Sequence, residues 1–530
     1  MVAAEKAADQ AGHSYAAMME MAGRAVAEAI MSRSSVAGQR ILILVGPGNN
    51  GGDGLVAGRI LAEAGADVAF YLTKPRDLQR DANFRMVQEM GLFVVEAAFD
   101  QRFRVLRTRL AISDVVVDAL LGTGVSRPIG GELAKLMQQV AAGLQERRMA
   151  MSVDTPLTRV GGIKPQTIEM KRPFIAAVDC PSGLNCDTGA LDPLAIPADL
   201  TVTFAGPKHG HFLFPGAEAA GALEVADIGI DASLPAVVDV DMELVTAELA
   251  QSLLPERPLN GHKGTFGTAV IAAGSQHYWG APVLAAKGAA RAGAGLVALA
   301  VPANLQPMAA GQIPEATYPL MPDAQILGKD SAQQLLASIL PRAQALLVGP
   351  GLSQADAFMQ ALLASKDTLP PLVVDADGLN ILARHADWHE MLPTNTILTP
   401  HPGEMARLVG LPLAELRTMN RLLLAQQYAA VWGHVVLLKG AYTVVAAPDG
   451  RCLVLPFANP ALGTGGSGDV LAGAIVALLA QGVPPFAAAV LGGWLHGVAG
   501  QLYGRTVGLL AHEIADNIPQ AWDLLKETAG

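Results

Sequence analysis

Short apolar runs recur along the chain. Most end in a polar, glycine-bearing stretch and are followed by a segment of helical spacing. In the first half Arg40–Gly46, Asp67–Leu72, Ser113–Ala119, Phe174–Asp179 and Leu200–Phe204 read as strands. In the second half Thr268–Gly274, Gly293–Val301, Ala345–Gly351, Pro371–Asp375, Thr396–Leu398 and His434–Lys439 read the same way. Helical spacing predicts one helix over Glu5–Met31, with Met18, Met21, Ala22, Ala25, Val26 and Ile30 near one face. It also predicts helices over Leu78–Met90, Pro282–Arg291 and Val470–Ala480. Strand followed by helix, repeated, predicts α/β domains built on mainly parallel sheets. Val444–Leu455 departs from the rhythm, and Pro448-Asp449-Gly450 within it predicts a hairpin turn. The pattern thins to a Pro-bearing connection over Val237–Leu259, so two domains are expected, residues 1–243 and 244–530. It also breaks after Leu144, where Gln145–Pro173 reads as an exposed insertion outside any site.

Bulk properties narrow the function classes. A chain of 530 residues exceeds a single core, in keeping with two domains. The formal net charge of −11 argues against nucleic-acid binding through charge. Cys180, Cys186 and Cys452 lack a metal-site spacing and are too few for a disulfide framework. Met1–Gln10 has no apolar core of a secretory signal. The apolar run Val470–Ala480 is closed by Gln481 and Pro484-Pro485, and Lys287 and Arg291 interrupt the run after Trp279. Neither reaches the roughly 18 uninterrupted apolar residues of a membrane helix. The expectation is a cytoplasmic protein with no membrane span.

Candidate chemistry lies where strands end. Gly463–Asp469 runs Gly-Thr-Gly-Gly-Ser-Gly-Asp into an apolar helix. Glycines there let backbone N–H groups converge at the positive end of a helix, which makes an anion site. Asp469 in the first turn suits a general base acting on a hydroxyl that attacks phosphate. A plain turn with Asp469 as a helix-start residue fits this stretch equally well. Arg40–Gly46 feeds Pro47-Gly48-Asn49-Asn50-Gly51-Gly52-Asp53-Gly54 and then a helix, the order that places phosphates in a doubly wound sheet. Its two asparagines and aspartate are more polar than a tight turn needs, which favours a ligand site. Asp118 and Asp179 both end strands, before Leu120–Gly124 and Cys180–Gly183. Their shared position favours one joint site over two separate turn caps. Lys208, His209 and His211 follow Pro207; with no third ligand nearby the histidines read as loop residues.

Taken in order, these motifs resemble the bifunctional NAD(P)H-hydrate repair enzyme family over nearly the whole chain. The resemblance rests on Gly46–Gly54, Asp118–Gly124, Asp179–Gly183 with Asp187-Thr188-Gly189, His262–Gly267, Gly349–Gly351, Thr399–Glu404 and Gly463–Asp469. It implies an N-terminal Rossmann-like epimerase domain and a C-terminal ribokinase-like dehydratase domain. By matching positions it implies that Asn49, Asn50, Gly51, Gly52 and Asp53, with Gly122, Thr123, Gly124, Val125, Ser126, Arg127 and Pro128, hold the hydrated dinucleotides, NADHX and NADPHX. Asn50, Asp118 and Ser182 would coordinate potassium (K+), and Asp179 would be the acid/base. In the second domain Ala281, Gly351, His401 and Asp469 would contact the hydrate, with Asp469 catalytic. Lys439, Gly440, Ala441, Tyr442, Thr443 and Gly468 would hold the adenine nucleotide. ADP as phosphoryl donor, magnesium (Mg2+) and a homo-oligomer, a tetramer, complete what the family implies. The chain departs from the family in the length of Gln145–Pro173, in Met21 where a polar residue is expected, and in a short N-terminus. A ribokinase-like kinase of small molecules shares the glycine–aspartate motif and is the alternative for the second half. A first half that serves only for binding or assembly is a further alternative, against which the retained Asn49–Asp53 and Asp179 argue.

Overall fold

The computed structural model describes residues 1–125, 127–151, 172–240 and 242–527. The chain forms two compact units, Met1–Val240 and Asp241–Gly530, dividing three residues ahead of the expected boundary.

The first unit is built on seven parallel strands: β1 (Arg40–Val45), β2 (Asp67–Leu72), β3 (Phe93–Glu96), β4 (Val115–Ala119), β5 (Phe174–Val178), β6 (Leu200–Phe204) and β7 (Ala222–Ala226). Their order, β3-β2-β1-β4-β5-β6-β7, reverses direction between β1 and β4. That reversal opens a crevice beyond the carboxyl ends of the two central strands, where doubly wound folds take ligands. The central strands are continuous β-branched and leucine runs buried on both faces, as helices on each side of a parallel sheet require.

The second unit carries a nine-stranded sheet: β8 (Met242–Leu244), β9 (Thr268–Ala272), β10 (Leu296–Ala300), β11 (Ala345–Val348), β12 (Leu372–Val374), β13 (Ile397–Leu398), β14 (Val435–Leu438), β15 (Val444–Ala446) and β16 (Cys452–Val454). The order is β10-β9-β11-β12-β13-β14-β15-β16-β8. The strands from β10 to β14 are parallel, and β15 and β16 form the expected antiparallel hairpin.

Four sequence-based expectations need correction. The helix expected over Glu5–Met31 is two helices, Val2–Gln10 and Tyr15–Met31. Gly12 adopts a φ of 101° between them, and the Ser14 hydroxyl caps the second by accepting from the Ala17 N–H. Residues 49–54 do not form a loop: the helix Asn49–Glu63 already contains them. The sequence reading also missed β3, β7 and β8, each an edge strand with little apolar contrast between its faces. Finally, Gln145–Met151 is not irregular, because it completes the helix Gly131–Met151. Within it, the buried Arg147 guanidinium donates to the carbonyls of Leu110 (3.1 Å) and Ser113 (2.5 Å). A polar run that looked like a break is a run of good helix formers, one of which closes the C-terminal end of another helix. Residues 152–171 of the expected insertion lie outside the described residues.

In the second unit the helices Gly280–Arg291 and Ser467–Ala480 approach so closely that side chains are excluded at their crossing. A Cβ on Gly473 would lie 2.0 Å from the Ala285 carbonyl oxygen, and one on Gly288 would lie 2.3 Å from that of Val470. This contact fixes the start of the helix Ser467–Ala480, and with it Asp469. Gly473→Val is therefore expected to destabilise the second unit by about 1–3 kcal/mol through overpacking. Gly311→Ala, in the helix Gln306–Gln312 with open space at its Cβ position, should be neutral or stabilising by up to about 1 kcal/mol. Denaturant midpoints of the two variants provide the check; equal midpoints would contradict the close crossing.

Candidate active sites

In the first unit, the end of β1, the end of β4 and the turn after β5 converge at the sheet reversal. Asp118 is fully buried in β4. Its carboxylate accepts from the Ser182 hydroxyl (2.6 Å), the Ser182 N–H (2.8 Å) and the Leu120 N–H (3.3 Å). The Ser182 hydroxyl oxygen accepts in turn from the Leu121 N–H (2.9 Å). The Asn50 amide donates to the Leu121 carbonyl (3.0 Å), and its Oδ1 lies 3.3 Å from where a Cβ on Gly122 would be. Asn50, Asp118, Ser182 and Gly122 are thus brought together. Burial pushes the Asp118 carboxyl up to about 6, against the pull of its hydrogen bonds. Among the described residues it has no salt-bridge partner.

The glycines at 51, 52 and 54 serve close packing of the helix that carries Asn50 and Asp53. A Cβ at these positions would meet the Gly46 carbonyl at 2.1 Å, the Met19 sulfur at 2.5 Å and the Ala119 Cβ at 2.5 Å. Asp53 is buried, and burial followed by the Asp179 charge raises its pKa well above the usual carboxylate range. Arg76, which sequence reasoning missed, donates to the carbonyls of Gly46 (2.9 Å) and Gly48 (2.7 Å) and pairs with Asp81. It holds the chain entering the helix. Among the residues that the resemblance assigns to substrate, Gly122–Val125 follow Leu121 without regular structure, Arg127 and Pro128 are exposed, and Ser126 lies outside the described residues.

Asp179 directly follows β5 with a φ of 64°, a region that residues other than glycine seldom occupy. Its N–H donates to the Val202 carbonyl (2.7 Å). Its Oδ1 accepts from the Thr203 hydroxyl (3.0 Å) and from the Lys208 ammonium. Lys208 was visible in the sequence as a lysine shortly after a strand end, but it was read together with His209 and His211 as loop. His211 caps the turn, its Nδ1 accepting from the Lys208 N–H (3.2 Å), and burial lowers its pKa to about 4, so it is neutral.

In the second unit Asp469 sits half-buried in the first turn of the helix Ser467–Ala480, after Gly466 with a φ of 89°. The first N–H groups of a helix have no partner within it and face the preceding turn. The Lys439 Nζ lies 3.4 Å from where a Cβ on Gly468 would be, so an ammonium stands beside those donors. That ammonium donates to Asp375 Oδ1 (2.6 Å) and lies 3.7 Å from Glu404 Oε2. Thr399 donates its hydroxyl to the same Asp375 oxygen (2.8 Å). Burial, followed by the Asp375 charge, raises the Asp469 carboxyl to about 7, and Lys439 only partly offsets this. Burial pulls the Lys439 ammonium down, but the Asp375 and Glu404 carboxylates together outweigh it and hold its pKa above the usual value. Asp375 and Glu404 belonged to motifs read from the sequence, yet their contact with Lys439 was not foreseen.

Around this centre, Gly351 (φ 64°) packs on Ala281 and Tyr278: a Cβ there would lie 3.2 Å and 2.6 Å from their Cβ atoms. Tyr278 opens onto a cavity of about 560 Å³ that Asp377, Asn380 and Arg407 also line. His401 is the N-cap of the helix Pro402–Val409; its Nδ1 accepts from the N–H groups of Gly403 (2.9 Å) and Glu404 (3.2 Å). Burial and then the nearby Lys439 charge lower its pKa, which favours the neutral ring. Residues 439–443 run past the end of β14. The half-buried Arg421, also missed, donates to the carbonyls of Leu438 (3.1 Å), Lys439 (3.2 Å), Ala441 and Tyr442 (2.9 Å). Gly440 (φ 148°) and Tyr442 (φ 53°) make that bend, and the Thr443 hydroxyl donates to the Gly440 carbonyl (2.8 Å). Among the described residues no group of three His, Cys, Asp or Glu side chains is placed to hold a metal ion, and no helix is long and apolar enough to cross a membrane.

Residues 269–520 match the family described as NAD(P)H-hydrate dehydratase, and residues 15–161 and 162–210 match that described as the YjeF-related protein N-terminus. The bifunctional NAD(P)H-hydrate repair enzyme Nnr of Moorella thermoacetica is 39% identical over 524 residues, covering 96% of this chain and 93% of that protein. Its namesake in Escherichia coli K12 is 32% identical over 516 residues, covering 96% and 90%. A solved structure of the ADP/ATP-dependent NAD(P)H-hydrate dehydratase from Bacillus subtilis, co-crystallised with ATP and Mg2+, is 35% identical; it covers 53% of this chain and 98% of that one, at a TM-score of 0.48. Two matched domains in one chain, and relatives that share both nearly end to end, place the chain in the family of bifunctional NAD(P)H-hydrate repair enzymes.

Proposed function

We propose that the first unit interconverts the R and S epimers of the NADH and NADPH hydrates, and that the second dehydrates the S epimer at the expense of ADP, releasing AMP and phosphate. The observation that carries the reading is the placement of Asp469, a carboxyl raised to about 7, beside a helix N-terminus and the Lys439 ammonium. The hydrate carries a hydroxyl on the ring carbon next to nitrogen, and hydroxide leaves poorly. Asp469 takes the hydroxyl proton as the oxygen attacks the terminal phosphorus of ADP, and AMP departs. The ring nitrogen lone pair then expels phosphate, and loss of a proton from the neighbouring carbon restores the reduced ring. Backbone N–H groups of the Gly463–Gly468 turn and the Lys439 charge suit the anionic phosphoryl in flight. Gly440–Thr443, held by Arg421, support a site for the nucleotide, and Ala281, Gly351 and His401 one for the hydrate. Magnesium would accompany the nucleotide phosphates, since it binds through few protein groups plus phosphate oxygens.

In the first unit Asp179 is the acid/base. Loss of water takes a proton from it, and return of water to the opposite ring face gives one back. Asn49–Asp53 and Gly122–Pro128 would border the substrate. The donor set Asn50, Asp118 and Ser182 fits a potassium ion: it offers amide, hydroxyl and carboxylate oxygens, and the buried Asp118 charge lacks a cation among the described residues. Potassium would supply that countercharge and tie together the helix start at Asn50, the end of β4 and the turn after β5. We extend the reading to a cytoplasmic homo-oligomer, a tetramer, on family grounds alone.

Incubating the protein with mixed epimers and ADP, followed at the reduced-nicotinamide absorbance, tests the reading. A small-molecule kinase would accumulate a phosphorylated product without restoring that absorbance. Asp469→Asn should lower dehydration roughly 100- to 10,000-fold, the range that general-base assistance supplies, while ADP affinity and epimer exchange stay nearly unchanged. Near-normal dehydration would refute the base role. A base must be ionised, so the wild-type dehydration rate should rise with pH to a plateau above about 7, where Asp469 has lost its proton; a flat profile between pH 5 and about 8 would contradict it. Asp179→Asn should convert half of an epimer mixture fast and the rest only at the spontaneous rate of epimerisation. Fast conversion of both halves would remove Asp179 from the mechanism.

A further inference from the structure

Asp179 is held unevenly. Thr203 and Lys208 both hydrogen-bond its Oδ1, while among the described residues Oδ2 has no hydrogen-bond partner. The Lys208 ammonium also donates to the Thr203 hydroxyl oxygen (2.6 Å) and reaches the Phe204 carbonyl (3.4 Å). Its three protons are thus spent within the turn, which leaves none to bind substrate. The Lys208 and Asp179 side chains are only 8% and 12% exposed, so each needs the other's charge. Neutral His211 offers no rival cation. The backbone adds a second constraint. Asp179 (φ 64°) and Ala205 (φ 56°) both occupy left-handed conformations at the ends of adjacent strands, a cost that persists where the surroundings dictate it.

We propose that Lys208 and Thr203 are positioning residues for the epimerase: they clamp Oδ1 of Asp179 and so present Oδ2 alone to the ring hydroxyl and its departing water. The proposal rests on Asp179 being the acid/base. Lys208 balances the carboxylate that remains after Asp179 has given its proton, and Thr203 fixes the plane of the carboxyl group. Neither touches substrate, so neither should govern substrate affinity.

The test is a double-mutant cycle on the full chain with Asp179→Asn, Lys208→Met, Lys208→Arg and Thr203→Val. Epimer exchange is read as kcat and KM, and dehydration of the S epimer serves as the control for an intact chain. For Lys208→Met we expect kcat of epimerisation to fall at least about tenfold, a part of what acid–base catalysis supplies, with KM nearly unchanged. Lys208→Arg should recover most of that loss, because it restores the cation. Combining Lys208→Met with Asp179→Asn should cost no more than Asp179→Asn alone. Thr203→Val, which removes one hydroxyl and keeps the shape, should give a smaller fall of the same kind, and it serves in place of Lys208→Met if that variant does not fold. Losses that multiply in the double variant, a raised KM with unchanged kcat, or full activity of both Lys208→Met and Thr203→Val would each overturn the proposal while leaving Asp179 in place. Full epimerisation by Asp179→Asn would instead remove the acid/base reading, and the clamp with it.

Discussion

A carboxylate at the end of a buried parallel strand has left water and must be met by donors or by a cation. Much of both units is arranged around that need. Asp179 is met by Lys208 and Thr203, and Asp375 by Lys439 and Thr399. In each case a lysine and a threonine share one carboxylate oxygen, although the two units have different sheets. Asp118 is met by donors only, from Ser182 and Leu120. Uncompensated charge of this kind is costly in an apolar surrounding, so what lies at these strand ends is constrained far more tightly than sheet geometry requires.

The partners divide the carboxyl groups by function. Asp375 is spent on Lys439, and its remaining negative charge acts on Asp469, which burial has already raised. One aspartate thereby tunes another. In the first unit Asp179 acts in the same way on Asp53. Each site therefore holds one carboxyl group tied to a lysine and a second whose pKa is raised by burial and by the charge of the first.

Much of this was legible in the sequence. Buried central strands announce themselves as apolar runs, and their polar endings gave Asp118 and Asp179 their places; Asp469 was placed by the glycine run that precedes an apolar helix. Three edge strands did not: β3, β7 and β8 face water on at least one side and lack contrast, whereas the edge strand β10 is a mostly buried apolar run and was read. Glycine was read correctly as unusual but for an incomplete reason. Gly51, Gly52 and Gly54 lie within a helix and make room for Gly46, Met19 and Ala119. Packing partners distant in sequence leave no local trace, and this is also why Arg76, Lys208 and Arg421 were overlooked or set aside. A lone basic residue in a polar stretch looks like surface until the fold shows which carbonyls or carboxylates it meets.

Arg76 and Arg421 share a consequence for anyone who would move these sites elsewhere. The shape of Gly46–Gly48 is held by a guanidinium from beyond β2, and that of Leu438–Tyr442 by one from the helix Arg421–Trp432. A graft of either motif onto another scaffold would carry the recognisable letters and leave the clamp behind. The carbonyls that Arg421 gathers would then turn outward to water, and the transplanted segment would relax into an ordinary turn. The transferable unit is therefore the motif together with its distant arginine, which a comparison of motifs alone does not reveal.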